Sequence, residues 1–96
     1  MSHAQHEAYT EQRWEAFQEW FDGFRQERYF LEYLEKDPDG YDAAIQLLAK
    51  DQADLIPADP VNLTDKQFSL LLALTKGSYS LWDRFEEWAW DRWSNI

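Results

Sequence analysis

The 96-residue chain contains no cysteine, which excludes disulfides, thiol nucleophiles and zinc–thiolate sites. It has only three glycines, and they form no phosphate-cradling loop. Basic residues are also few: nine Lys and Arg stand against 19 Asp and Glu, for a formal net charge of −10. That excess lies somewhat beyond the magnitude of roughly 2–8 suited to a small soluble domain. It argues against direct binding to nucleic acid or to an anionic membrane, both of which demand basic surfaces. Long apolar runs are missing too. The longest, Leu70 to Leu74, falls far short of the ~20 residues of a membrane-spanning helix. The opening MSHAQHEAYT has no apolar signal region, so a reducing cytoplasm is the expected compartment.

Apolar and aromatic residues, by contrast, are plentiful. Hydrophobic content is 45% and aromatic content 18%, which rules out a disordered acidic tail. Residues 1–96 are expected to form a single helical domain, with 1–5 frayed.

The stretch Thr64 to Gly77, TDKQFSLLLALTKG, carries the clearest local instructions. Thr64 is suited to an N-cap with Gln67 completing a capping box, and Leu63 to a staple onto Phe68. Lys76 complements the last turn's dipole, and Gly77 offers a left-handed stop. Phe68, Leu70, Leu71, Leu72, Ala73 and Leu74 leave almost no polar face between those signals. A helix apolar all round is a buried helix. The expectation is therefore an all-α fold, a compact bundle of four or five helices around a buried central helix at about 64–76.

The segment from about Gln5 to Asp22 reads as an amphipathic helix. Phe24, Phe17, Phe21 and Trp14 fall within an arc of about 80°, with Trp20 beside it. On another face Glu7, Glu11, Glu15 and Glu19 recur at every fourth position, and Asp22 falls in the same stripe. No Lys or Arg stands three or four positions from any of those Glu. Each like-charge pair at that spacing costs about 0.2–0.5 kcal/mol. Phe24 to Glu35 continues the helix or resumes it after a kink at Gly23, burying Phe30, Leu31 and Leu34. Here opposite charges are available, with Glu32 placed between Arg28 and Lys36 and Arg25 after Asp22. DPDG, Asp37 to Gly40, fits a type I turn. A third helix at about Tyr41 to Ala53 would bury Ile45, Leu48 and Leu47. Leu55 to Leu63 reads as an ordered strap packing Leu55, Ile56, Val61 and Leu63, with Ile56 and Asp59 extended before their prolines. The last helix runs from about Ser80 towards Trp93. Trp82, Phe85, Ala89 and Trp93 give it a buried face, and Trp88 and Trp90 flank that face on either side.

The Glu ladder sets about 6 Å between successive carboxylates along one helix, a row that imitates phosphates for a basic protein. The competing reading is a solvated Glu-rich face. Trp88 or Trp90 would supply an interface anchor, against the alternative of simple core packing. His3, His6 and Glu7 are read as a frayed terminus rather than a metal site. EKDPDGYDAAIQ has the wrong residues at both ends for a calcium loop. No nucleophile–base set or zinc signature is present, so no enzyme activity, cofactor or metal is expected.

Size, the −10 charge, the Glu7/Glu11/Glu15/Glu19 ladder and the acid–aromatic stretch WDRFEEWAWDRW (Trp82 to Trp93) together resemble the small acidic anti-CRISPR and antirestriction proteins of phages and mobile elements. The resemblance implies a non-enzymatic inhibitor that mimics nucleic acid, acts in the host cytoplasm and blocks a basic, nucleic-acid-binding protein. On this chain's own charge and aromatic pattern, the contact residues would be Glu7, Glu11, Glu15, Glu19, Asp22, Asp83, Glu86, Glu87, Trp88, Trp90 and Asp91. The alternative is a helical adaptor or assembly protein that associates, with itself or another chain, through the C-terminal tryptophans and is acidic only for solubility.

Overall fold

The molecule's helices are α1 (His3–Phe21), α2 (Phe24–Lys36), α3 (Pro38–Ile45), α4 (Lys50–Ala53), α5 (Asp65–Gly77) and α6 (Tyr79–Ser94), with a 3-10 turn at Pro60–Asn62 before α5. The computed structural model describes residues 3–22 and 24–94, with side chains for 11–22 and 26–94. Among the described residues there is no strand, and the molecule measures 52 × 21 × 19 Å. The all-α expectation holds. Among the described residues the α-helices number six rather than four or five because Tyr41–Ala53 is not one helix. Leu47 and Leu48 bond back to Ala44 and Ile45, tightening the chain, and Ala49 is extended. Such i to i−3 bonds close a helix rather than propagate it.

Local chemistry explains most boundaries. Asp37 is the N-cap of α3, its carboxylate accepting from the Gly40 N–H, with Pro38 in the first turn. The DPDG turn is thus the first turn of a helix, because a type I turn already has near-helical dihedrals and proline is preorganised for that position. Thr64 and Gln67 form the expected capping box, at 3.1 and 2.9 Å. Gly77, in contrast, is the last residue of α5 and does not adopt a positive φ. The stop is made at Ser78, which is extended, and its carbonyl already accepts from Trp82 to start α6. The expected kink at Gly23 lies outside the described residues. Trp20 and Tyr29 would stand about 13 Å apart along one continuous helix, yet their ring centroids are 4.9 Å apart. The chain therefore folds back between α1 and α2.

The core is aromatic and is not centred on α5. Phe17, Phe21, Phe30, Tyr33 and Phe85 are all at most 2% exposed. The Phe85 ring meets Phe21, Phe30, Tyr33 and Trp82 at centroid distances of 5.2, 5.2, 5.0 and 5.3 Å. Helix α6 packs against α1, α2, α3 and α5. Helix α5 buries one face, Leu71, Leu72 and Thr75, and exposes Ser69 and Ala73. The expected buried central helix is therefore corrected: α5 flanks the core. Composition overstates its burial because alanine is indifferent to solvent, while the large rings of α1, α2 and α6 fill the centre. Tyr41 and Ala44 of α3 are buried, as is Leu48 in the turn after it, whereas Leu47 is exposed and Ile45 half-buried. Tyr33 joins the expected Phe30 and Leu34 in α2, and Leu31 is half-buried.

The strap before α5 is ordered by hydrogen bonds and by two of the four expected apolar side chains, Ile56 and Leu63, which pack against the core. Leu55 and Val61 are 75% and 61% exposed, while Pro60 is buried. Tyr41 donates to the Pro57 carbonyl at 2.6 Å, and Gln67 to the Leu55 carbonyl at 3.1 Å. Asp59 is extended, as expected before a proline, and caps the 3-10 turn through the Val61 N–H.

One polar cluster ties α2, α3 and α6. The Asp37 carboxylate accepts two bonds from Arg84, at 2.6 and 2.9 Å, and one each from the Gly40 N–H and the Tyr33 hydroxyl. The Arg84 hydrogen bonds hold the Asp37 carboxyl below its ordinary range. Burial, then the Asp37 charge, pushes Tyr33 up to about 12. Likewise Glu32 pairs across to Arg92 on α6 at 3.0 Å rather than with a neighbour on its own helix.

Gly40 is required by this cluster, since a Cβ there would strike the Tyr33 ring and hydroxyl and come within 2.8 Å of the Asp37 carboxylate. Gly40→Ala is therefore expected to cost about 1–3 kcal/mol in chemical denaturation. Because the folded-state pKa of Asp37 is depressed, its stabilisation is present above the ordinary value of 3.8 and is lost as pH falls through the folded value. The stability gap between the natural protein and Arg84→Gln should accordingly exist at neutral pH and close in acid, as read from urea midpoints.

Candidate docking surface

Helices α1 and α6 lie antiparallel. Trp14 meets Trp90, Gln18 bonds to Glu86 and Phe21 meets Trp82, so α6 is read backwards as α1 advances, while the Trp93 ring reaches back to Phe17 and Trp20. Positions three and four apart share a helix face. On α1, Glu11, Trp14 and Glu15 therefore project together. On α6, Glu87, Trp90 and Asp91 do the same. These six residues line a groove of about 580 Å³ between the two helices. The antiparallel pairing places Glu11 and Asp91 towards one end and Glu15 and Glu87 towards the other.

The floor is aromatic. The Trp14 and Trp90 centroids are 5.5 Å apart with planes tilted by 38°. Trp14 is 41% exposed and Trp90 half-buried. Beyond the groove the rings continue inward, Trp90 reaching Trp93 at 5.4 Å and Phe17 at 5.4 Å. The Arg13 guanidinium lies over this inner part, 5.0 Å from the Trp93 centroid and 5.9 Å from that of Trp90. Asp91 takes part in a further interaction within the chain. At the Glu15 end Gln18 donates to Glu86 at 3.2 Å, joining the two helices. Burial raises the Glu86 pKa, and the Gln18 hydrogen bond opposes that rise.

The expected contact residues thus separate into groups. Glu11, Glu15, Glu87, Trp90 and Asp91 come together in the groove. Glu19, Asp22 and Asp83 are exposed but do not line it, and Glu86 is half-buried against Gln18. Trp88 faces α2 instead, 5.8 Å from Tyr33 and stacked over Phe85 at 6.5 Å. Trp82 and Trp93, expected in the core, are half-buried around it. The side chain of Glu7, and those of His3 and His6, lie outside the described residues. Trp14 was expected to face the core and instead forms the groove floor. The signal for it is present in the chain: EQRWE at Glu11–Glu15 and EWAWD at Glu87–Asp91 share the spacing acid-x-x-Trp-acid. Only antiparallel packing of the two helices gives that repetition meaning.

Among the described residues, no group of three or more potential ligands is placed to hold a metal ion, and no helix is long and apolar enough to cross a membrane. No protein-family model, no curated protein and no solved structure matches the chain.

The two aromatic layers should respond differently to truncation. Phe17 is fully buried, and Phe17→Ala is expected to cost about 3–5 kcal/mol. Trp14→Ala removes a half-exposed ring and should cost about 1–2 kcal/mol on the same scale of apolar area, with the helical circular dichroism spectrum retained.

Proposed function

We propose that this protein is a non-enzymatic binding protein that docks its acidic face on a basic, nucleic-acid-binding protein and blocks it. The observation that carries the reading is the groove, in which carboxylates from positions 11, 15, 87 and 91 surround two tryptophans. The carboxylates attract and orient a basic surface. Electrostatics of this kind govern rate and orientation more than affinity, so tight binding needs apolar area removed from water. Trp14 and Trp90 offer that area at the place where the charge is concentrated. The successive acids of α1, about 6 Å apart along the helix, would occupy the track of a phosphate row and compete with nucleic acid.

The reading is tested by retention of partners from nuclease-treated lysate on the tagged protein, with washes at low and high salt. The expected result is a nucleic-acid-binding protein that is held at low salt and released at high salt. For the purified partner, Glu11→Gln/Glu15→Gln/Glu87→Gln should slow association by about 10-fold or more. A partner that resists salt, or that the triple variant retains undiminished, would overturn the proposal in favour of an adaptor that binds through its tryptophans alone.

A further inference from the structure

We infer that the groove between α1 and α6 is an arginine-binding cleft: it receives one guanidinium of a partner protein, stacked on Trp14 and Trp90 between the carboxylates at the two ends. This rests on the reading that the acidic face docks on a basic protein, and it names the side chain which that docking would seat. The walls present two chemistries at once. The floor is made of two tilted indole faces, and the rim is anionic at both ends. A guanidinium matches both, because it is planar, weakly hydrated and carries its N–H donors in a rigid fork around its edge. Its face covers an indole while its edge donates to carboxylates. A lysine ammonium satisfies the rim alone, as a compact and strongly hydrated charge that gains less from an aromatic face.

The molecule contains its own precedent. Arg13 lies over Trp93 and Trp90 at 5.0 and 5.9 Å, on the inner part of the same run of rings, and does not line the groove. One guanidinium thus already stacks on this aromatic row, and Trp14 extends the row to the surface. A second copy of this chain does not suit the cleft, since each copy has a net charge of −10 and opposed acidic faces repel.

The test uses the intact protein with oligoarginine and oligolysine peptides of equal length at low ionic strength. Affinity is read by calorimetry and location by the indole N–H signals in 1H–15N spectra. Oligoarginine is expected to bind about 2- to 5-fold more tightly than oligolysine, the range a partly exposed cation–π contact supplies. The signals of Trp14 and Trp90 should move most. Trp14→Ala should abolish the arginine preference while leaving the weaker, charge-driven binding. Equal affinity for the two peptides would overturn the cleft, as would an arginine preference that survives Trp14→Ala, or no binding of either peptide. If both peptides bind equally and both are lost in Glu11→Gln/Glu15→Gln/Glu87→Gln, the cleft falls while the acidic docking face stands. The docking reading itself is judged separately, by retention from lysate.

Discussion

The structure depends on the burial of one phenylalanine among rings supplied by every long segment of the chain except α5. Phe85 is fully buried and touches Phe21 from α1, Phe30 and Tyr33 from α2, and Trp82 from its own helix. Each such pair contributes about 0.5–1.5 kcal/mol beyond the area it removes from water. Rings also impose direction, because tilted and edge-on contacts fix the rotation of a helix about its axis more tightly than aliphatic contacts do. Setting Phe85 against both Phe21 and Tyr33 therefore orients α6 relative to α1 and α2 together. The Asp37–Arg84 pair and the Glu32–Arg92 pair then fasten the same helices at their polar edges.

The groove follows from that orientation. Once Phe17 and Phe21 are committed to the core, the residues three positions before Phe17 and one position after it must turn towards the flank of α1. The same holds on α6, where Phe85 and Ala89 face inward and Trp90 is carried to the side. The two flanks meet because the helices are antiparallel, so tryptophan lies against tryptophan and the neighbouring acids gather at the ends. Like charges brought together oppose folding modestly when exposed. The aromatic contacts beneath them supply the opposing free energy, and the result is a surface that a cationic partner would stabilise further.

The acidic face and the adaptor reading thus come to share one place. In the sequence the carboxylates and tryptophans look like separate features at opposite ends of the chain. In the fold, Glu11, Glu15 and Glu87 stand beside Trp14 and Trp90, so charge and apolar area occupy one surface. Trp88, equally prominent in the sequence, is turned towards Tyr33 and is withdrawn from that surface.

Local chemistry alone determined the helical class, the capping box at Thr64, the extended residue before Pro60 and the apolar stripe of α2. Each of these depends on neighbours within one or two turns, and such neighbours are written in order along the chain. The choice among several apolar faces was not local. Helix α5 reads as the most buried segment because its leucines are consecutive, yet burial is decided by which elements surround it, and the larger rings of α6 take the centre. Gly77 likewise fits a left-handed stop, but the extended Ser78 ends the helix and begins the next one in a single residue. The repeated acid-x-x-Trp-acid spacing was visible at both ends of the chain. Its pairing into one groove was decided only by tertiary packing, because residues 14 and 90 become neighbours through the antiparallel docking of α1 on α6, and no periodicity along the chain encodes a contact between helices so far apart in sequence.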